Sequence, residues 1–317
     1  MILLKPVKII LKFLLILSTS VIILAAVLAI YYASINTKSA KVYLDQRHKN
    51  ITYKETETGK LKLDIYMPKR KLFAKIPVLV YFHGGGWDSG CKNISGKELE
   101  IVNGILEAGF AVVSVDYRLT SDTNKFPVHH SDGADAIRWI IKNADTYGFN
   151  KNKINIIGAS AGGHMALLLG IAGNQFGDDT SDFRIRSIID LCGPTDLADL
   201  SDYTPSGREW MEGVLYNFIG GTYEEKKEAY EFASPINHIR KDMPPIFMTH
   251  GMKDDLIPFA QAEKFYNKAL SAKAKVTFVP VKNGNHYFDA PKNEEMDPPV
   301  IKIAIKMLVF LLKHNLF

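Results

Sequence analysis

The sequence has few cysteines and little excess of either charge. Its two cysteines among 317 residues, Cys91 and Cys192, lie far apart and without C-x-x-C spacing, so they indicate neither a zinc site nor a disulfide framework. The formal net charge is +5, and Lys5, Lys8 and Lys12 supply three of those five charges. A domain this close to neutral does not have the basic footprint of a nucleic-acid-binding protein. Internal repeats and low-complexity segments are also absent.

One long hydrophobic run lies near the N-terminus. No charged residue occurs between Lys12 and Lys38, and residues 13–33 are mostly Leu, Ile, Val and Ala. At about 1.5 Å per residue, a helix of this length crosses a hydrocarbon core of about 30 Å. The lysines before the run predict a cytoplasmic N-terminus and a domain on the outer side of the membrane.

A cleaved secretory signal is the alternative, because a basic start followed by an apolar run is also typical of signals. The run is long for a signal, and Tyr-Tyr-Ala at 31–33 is a poor cleavage site. We therefore predict a retained anchor over residues 1–35 and a polar tether over 36–50. Either outcome exports the domain that follows, as an anchored or as a secreted protein.

Residues 51–317 alternate between short β-branched runs and stretches with helical periodicity. This order predicts one α/β domain with a mostly parallel, eight-stranded sheet and helices on both faces. The predicted strands are 51–56, 61–67, 76–83, 110–116, 153–158, 185–191, 245–250 and 275–281. The predicted helices are 95–108, 131–146, 161–173, 258–272 and 297–314. Residues 199–239 fit neither a strand nor a single helix, so we expect a lid insertion over the carboxyl edge of the sheet.

A G-x-S-x-G motif stands at 158–162, Gly-Ala-Ser-Ala-Gly, between a predicted strand and a predicted helix. A strand, a sharp turn and a helix expose a serine hydroxyl as a nucleophile, and glycines permit the close approach of strand and helix. Ser160 is therefore the candidate nucleophile.

A serine nucleophile needs a base that removes its proton and a carboxylate that orients the base. Among nine histidines, His286 is the best placed, because it follows a predicted strand in an Asn-Gly-Asn turn. Asp254 follows the preceding strand, with Asp255 as the alternative. The chain order Ser, Asp, His is that of α/β-hydrolases. His250, which precedes the Asp254 loop, is expected to support that loop.

The segment His-Gly-Gly-Gly-Trp at 83–87 also follows a predicted strand. Backbone amides of Gly85, Gly86 and Ala161 are candidate donors to the oxyanion of a tetrahedral intermediate. No G-K-[ST] follows the glycines, so a phosphate loop is not indicated. Trp87 is a candidate substrate-binding residue, or else it packs against the lid.

From about residue 60 onward, the chain resembles the α/β-hydrolase superfamily and, within it, the hormone-sensitive-lipase-like carboxylesterases and the related acetyl and feruloyl esterases. Besides the motifs above, the resemblance includes Asp116-Tyr117-Arg118-Leu119, Phe126-Pro127, Gly193-Pro194-Thr195-Asp196, Ala233-Ser234-Pro235 and His250-Gly251. It implies a triad of Ser160, Asp254 and His286, an oxyanion hole at the three amides, and hydrolysis of short acyl or aromatic esters without metal or organic cofactor. The family's cap usually includes an N-terminal segment, so here any cap must come mostly from 199–239.

Two other functions stay open. The same triad serves exopeptidases of the prolyl-oligopeptidase type, although the residues before the domain leave no room for their β-propeller. A catalytically silent binding protein is the other alternative, but it would be expected to have lost a triad residue. Export suggests small-molecule or glycan esters, such as acetylated sugars, as substrates; the acyl chain length and the oligomeric state are not predicted.

Two polar groups near the site have structural interpretations. Asp116 and Arg118 are expected to form a buried polar contact below it. His129 and His130 with Asp132 suggest metal ligands, but adjacent histidines at a helix start cannot easily share one ion. We therefore predict no metal site.

Overall fold

A computed structural model describes residues 47–178 and 181–316. The predicted anchor at 1–35 lies outside the described residues, as does most of the predicted tether. Among the residues that are described, no helix has the length and apolarity needed to cross a bilayer.

Eight strands form one sheet with the order β1-β2-β4-β3-β5-β6-β7-β8. They are β1 (Arg47–Thr56), β2 (Gly59–Tyr66), β3 (Ile76–Phe82), β4 (Ala111–Val115), β5 (Phe149–Ala159), β6 (Ser187–Leu191), β7 (Ile246–Gly251) and β8 (Val276–Val281). The β1–β2 and β2–β4 pairs are antiparallel, and the other five pairs are parallel. The predicted eight-stranded, mostly parallel sheet is therefore confirmed.

Helices connect the parallel strands. They are α1 (Gly96–Glu107), α2 (Val128–Lys142), α3 (Ala144–Tyr147), α4 (Ala161–Ala172), α5 (Pro205–Leu215), α6 (Tyr223–Ala233), α7 (Phe259–Ser271) and α8 (Val300–Leu316). Short 3-10 segments follow at Gly173–Gln175 and Pro235–His238, and a π-helical turn spans Tyr216–Gly220.

The central strand β3 shows why the sheet needs cover on both faces. Its seven residues are all buried, as is typical of strands in a parallel sheet. Val78, Val80 and Phe82 belong to the apolar layer on one face, together with residues of α2, α4 and α7. Leu79 and Tyr81 belong to the layer on the other face, together with residues of α1 and α8. The side-chain alternation of a strand thus places two apolar layers around one sheet.

The insertion, residues 199–239, folds as α5, the π-helical turn, α6 and a 3-10 segment. Thr222 caps α6: its hydroxyl accepts a hydrogen bond from the Glu225 N–H, and the Glu225 carboxylate accepts one from the Thr222 N–H. This reciprocal capping box satisfies two donors that the helix start would otherwise leave free. Phe218 in the π-helical turn is fully buried and fixes the insertion to the rest of the domain.

Candidate active site

Ser160 occupies a strained turn between β5 and α4. Its φ of 55° and ψ of −124° are rare for a residue with a side chain. A Cβ on Gly158 would lie 2.0 Å from the Gly162 carbonyl oxygen, and one on Gly162 would lie 2.1 Å from the Phe82 oxygen. Only glycine fits at either position, so the local sequence allows the sharp turn that raises Ser160 at the carboxyl edge of the sheet.

Backbone hydrogen bonds hold this turn on both sides. The Ser160 N–H donates to the Leu191 carbonyl on β6 at 2.9 Å, and the Ser160 carbonyl accepts from the His164 N–H on α4 at 3.0 Å. The nucleophile position is therefore fixed by the neighbouring strand and by the first turn of the following helix.

His286 and Asp254 are brought together from the loops after β8 and β7. His286 Nδ1 lies 2.7 Å from Asp254 Oδ2. The other carboxylate oxygen of Asp254 accepts from the N–H groups of Leu256 and Ile257 at 3.0 and 2.9 Å. Burial acts to raise the pKa of Asp254, but hydrogen bonds from His250 and His286 outweigh it and lower that pKa to about 2. Asp254 is thus a carboxylate at neutral pH.

His250 holds Asp254 from a second side. Its Nε2 lies 2.8 Å from the Ile257 carbonyl oxygen and 3.1 Å from Asp254 Oδ2. Because a carbonyl oxygen only accepts, Nε2 carries the proton and is shared between the two oxygens. The position of His250, four residues before Asp254 at the end of β7, is the sequence signal for this support.

The glycine loop at 83–87 presents free amides. Gly85 and Gly86 have φ values of 111° and 57°, which favour glycine. Within the described part of the chain, the N–H groups of Gly85, Gly86 and Ala161 donate to no protein acceptor. Ala161 is also the first residue of α4, where the helix dipole favours negative charge.

Two residues outside the predicted site support this loop. The Tyr117 hydroxyl donates to the His83 carbonyl at 2.8 Å, and the two rings stack with centroids 4.2 Å apart. His83 Nδ1 also contacts the Gly84 carbonyl at 2.8 Å. The role of Tyr117 was not predicted, because the motif that contains it lies more than thirty residues away in sequence.

Trp87 lines the cavity and also packs against the insertion. Its ring is only 2% exposed, stacks on Phe218 at 4.2 Å, and meets the edge of His164 at 5.0 Å. Most of the indole surface is therefore covered by protein rather than open to a ligand.

A cavity of about 920 Å³ contains Ser160, His286 and the loop at 84–87 in its walls. Its volume lies toward the upper end of the range for small-molecule sites. Residues Trp210, Met211 and Val214 of the insertion form one wall. The insertion thus borders the site at the carboxyl edge of the sheet.

The predicted contact between Asp116 and Arg118 is wrong. Arg118 instead forms a bidentate pair with Asp132 at 2.8 and 2.7 Å, and the Asp116 carboxylate accepts from the Lys92 N–H at 2.7 Å. The planar fork of the arginine side chain matches the carboxylate that α2 presents.

In the described residues, one group of possible metal ligands lies close enough to consider, namely Cys192, Asp254 and His286 within 4.8 Å. His286 Nδ1 is already hydrogen-bonded to Asp254, and burial raises the pKa of the Cys192 thiol. A protonated thiol is a poor ligand, so we assign no metal to this group. His129 and His130 are buried on α2 and are not part of it.

Comparisons with known proteins agree with this arrangement. The family model BD-FAE matches residues 63–269, more than half of the chain. Esterase LipC of Mycobacterium tuberculosis is 28% identical over 252 residues, which cover 77% of this chain and 60% of LipC. The chain spans little more than half the length of the curated relatives it matches.

Solved structures also match. A truncated form of a carbohydrate esterase from gut microbiota is 26% identical, with a TM-score of 0.68, and the match covers 86% of this chain and 96% of that one. A propionate-bound thermophilic esterase of Thermogutta terrifontis is 25% identical, with a TM-score of 0.67, and the match covers 83% and 93%.

Proposed function

The chain belongs to the BD-FAE family of α/β-hydrolases, and from this premise we propose that it is a serine carboxylic-ester hydrolase. One observation carries the proposal: Ser160, on its strained turn, lines the same cavity as His286, and His286 is hydrogen-bonded through Nδ1 to Asp254. Relatives and structural neighbours named as esterases support it.

In the proposed mechanism, Ser160 Oγ attacks the ester carbonyl carbon while His286 Nε2 takes its proton. Asp254 accepts the Nδ1–H bond and stabilises the imidazolium that forms. The amides of Gly85, Gly86 and Ala161 bind the oxyanion. The tetrahedral intermediate then expels the alcohol, which leaves with the proton from His286. Water, activated by His286, hydrolyses the acyl-enzyme and restores Ser160.

We propose short-chain acyl or aromatic esters as substrates, with acetylated sugars among them. The propionate-bound and carbohydrate esterases among the structural neighbours support this range. The walls near the insertion are apolar, with Trp210, Met211 and Val214, and suit an acyl chain or an aromatic ring.

We also propose that residues 1–35 anchor the chain in a membrane and leave the catalytic domain extracytoplasmic. The lysines before the apolar run support this orientation. The full-length chain should be recovered in the membrane fraction. Protease treatment of intact cells should then digest its catalytic domain. Recovery of the domain from the medium would indicate a cleaved signal, and protection from protease in intact cells would contradict export.

Hydrolysis of p-nitrophenyl esters from acetate to decanoate tests the activity. We expect turnover to peak at short chains and Ser160→Ala to lower kcat by about 10³-fold or more. Ser271→Ala, at the exposed end of α7, is the control and should match the wild type. Circular dichroism of each variant checks the fold, and a Ser160→Ala protein with wild-type turnover would contradict the proposal.

A further inference from the structure

Basic side chains collect at the amino edge of the sheet, on the side opposite the candidate active site. Strands β5 to β8 are adjacent and parallel, so their amino ends lie at one edge. The basic residues at this edge are Lys151 and Lys153 in the first half of β5, Arg184 and Arg186 before β6, Lys275 before β8, and Lys313 in the last turn of α8. We call these six residues the basic face. Because the whole chain has a net charge of only +5, the basic face is a local asymmetry.

The end of α8 holds part of the basic face in place. The Arg186 guanidinium donates a hydrogen bond to the His314 carbonyl, and Lys153 Nζ donates one to the Asn315 carbonyl. Both carbonyls belong to the last turn of α8, where the helix dipole favours positive charge. Strands β5 and β6 and helix α8 are thus joined at this edge by two cations.

The basic face has no acidic partner of its own. Within the part of the chain that the structure describes, none of its six members forms an ion pair. Burial lowers the pKa of His314, and the charges of Lys313, Arg186 and Lys275 lower it further, to about 4. Burial and the charge of Arg186 also lower the pKa of Lys153. These cations therefore lie close enough to repel one another, and an anionic partner would relieve the repulsion.

A loop beside the basic face adds more cations and an exposed apolar side chain. It is residues 68–75, Pro-Lys-Arg-Lys-Leu-Phe-Ala-Lys. Lys153 Nζ lies 5.8 Å from the centroid of the Phe73 ring, which places this loop next to the basic face. Leu72 is 58% exposed. Lysine and arginine around an exposed leucine suit a lipid surface, because the cations attract anionic headgroups and the leucine can enter the interface.

The polypeptide enters the domain at the same edge of the sheet. β1 begins at Arg47, which pairs with Tyr66 at the end of β2, and Tyr66 pairs with Val112 at the start of β4. Because β4 is parallel to β3 and β3 to β5, Arg47 lies at the amino edge. The segment between the proposed anchor at 1–35 and Arg47 is residues 36–46, which reach at most about 40 Å when fully extended. The anchor would therefore keep this edge close to the bilayer.

The mouth of the cavity is the competing surface for a membrane. Trp210 and Tyr287 line the cavity and are 47% and 66% exposed. Glu209 and Glu212 on α5 are also exposed beside Trp210. Anionic headgroups would repel these two carboxylates, whereas they attract the basic face.

We propose that the basic face docks on anionic lipid headgroups of the membrane that holds the anchor, and that the cavity therefore opens away from the bilayer. Strand β5, eleven residues long, leads from the basic face to Ser160. At about 3.3 Å per residue, the strand holds Ser160 roughly 30 Å from the docked edge. The site would then take esters from the aqueous phase and not from the bilayer that holds the chain. This inference rests on the proposed membrane anchor and is independent of the esterase function.

Fluorescence energy transfer from the domain to labelled lipid tests this orientation. The full-length chain is reconstituted into vesicles of phosphatidylcholine alone, or of phosphatidylcholine and phosphatidylglycerol in equal parts, with a rhodamine lipid as acceptor. One preparation carries the donor dye on Cys91, which is exposed and lines the cavity, whereas Cys192 is buried. The other carries the dye on Asn152→Cys combined with Cys91→Ser, because Asn152 is exposed within the basic face.

We expect strong transfer from position 152 in the vesicles with phosphatidylglycerol. It should fall several-fold in phosphatidylcholine alone or at high salt, which screens the charges. Transfer from Cys91 should be weaker than from position 152 in the anionic vesicles.

Lys151→Gln, Arg184→Gln and Lys275→Gln, made together, remove three exposed charges of the basic face. We expect transfer from position 152 in the anionic vesicles to fall to the level seen in phosphatidylcholine. The matched control is Lys60→Gln, Lys292→Gln and Lys302→Gln, which removes three exposed charges at the carboxyl edge. It changes the net charge equally and should leave the transfer as in the wild type. Circular dichroism checks that both triple variants are folded.

The outcomes separate the docking from the proposals beside it. A chain that associates with neither kind of vesicle would overturn both the anchor and the docking. A chain that stays in the vesicles but shows equal transfer from position 152 in both lipids would overturn the docking alone, as would an equal loss of transfer in the two triple variants. Stronger transfer from Cys91 than from position 152 would show that the mouth faces the membrane and that the proposed orientation is wrong. Hydrolysis of p-nitrophenyl esters is tested separately, so none of these results depends on the esterase function.

Discussion

The neighbouring strands β6 and β7 each lead to a buried carboxyl group at the carboxyl edge of the sheet, and the two groups have opposite pKa shifts. Asp190 lies in β6, and Asp254 follows β7. Burial raises the pKa of Asp190 to about 8, only partly offset by a hydrogen bond from the Gly193 N–H. The pKa of Asp254 is lowered to about 2.

The number of donors around each carboxyl group explains the difference. Asp254 receives hydrogen bonds from two histidine rings and two backbone N–H groups. Asp190 Oδ1 receives one, at 3.0 Å, and within the described residues its Oδ2 has no partner. Burial penalises a charge in both places, but only the first site supplies enough hydrogen bonds to outweigh the penalty. A buried carboxyl group is therefore charged or neutral according to its donors.

The largest effect expected is that of Asp254→Asn on turnover. Without the carboxylate, the imidazolium of His286 loses its stabilising charge and its tautomer is no longer fixed, so kcat/KM should fall by about 10³- to 10⁴-fold. The measurement is p-nitrophenyl acetate hydrolysis at neutral pH.

Asp255→Asn is the control for that variant. Asp255 is the alternative carboxylate in the sequence, and its side chain is exposed. We expect its rate to stay within about twofold of the wild type. A larger loss in Asp255→Asn than in Asp254→Asn would reverse the assignment.

Ser160, Asp254 and His286 could be proposed from the sequence for a physical reason. The carboxyl ends of parallel strands meet at one edge, so residues directly after such strands converge wherever the loops are short. The strands themselves follow from apolar runs, and most predicted bounds differ from the observed ones by a few residues. The strand β1 begins at Arg47, inside the predicted tether, because β2 supplies hydrogen bonds to these polar residues.

The insertion and the surroundings of Asp190 could not be predicted in the same way. The π-helical turn at Tyr216–Gly220 depends on the packing of Phe218 against Trp87 and Phe126, which are distant in sequence. Asp190 lies within an apolar strand pattern, and nothing in that pattern shows how many donors surround it. Both features depend on tertiary contacts rather than on local periodicity.

The second largest effect expected is a pH dependence of the free energy of unfolding that is caused by Asp190. Its pKa is about 8 in the folded chain, against an ordinary value of 3.8 for an aspartate side chain, so between these values the folded state binds one more proton than the unfolded state. The free energy of unfolding contributed by this group therefore falls as pH rises from about 4 to 8, by about 1.4 kcal/mol per pH unit.

Asp190→Asn removes that titration and keeps the size of the side chain. Its free energy of unfolding relative to the wild type should increase between pH 5 and pH 7, by up to about 3 kcal/mol. Urea unfolding at several pH values measures the difference. A difference that does not change with pH would show that Asp190 is ionised in the folded chain, as Asp254 is.

The smallest effect expected is that of His250→Phe, which makes Asp254 more like Asp190. The substitution keeps an aromatic ring next to Phe259 and removes one donor to Asp254. Its pKa should then rise from about 2, and kcat/KM should fall about tenfold, since the carboxylate that remains is less well oriented toward His286. His250→Gln, which can still donate, should recover part of the rate.

Acid unfolding separates this role from a loss of packing. Because the folded pKa of Asp254 is below its unfolded value, its contribution to stability is present above about pH 4 and is lost as pH falls toward 2. In His250→Phe this contribution should be smaller, so the unfolding free energy should change less between pH 4 and pH 2 than in the wild type. A variant with lower stability at every pH but the same change over this range would show that His250 only fills space, and the contrast between Asp254 and Asp190 would then depend on His286 and the backbone donors alone.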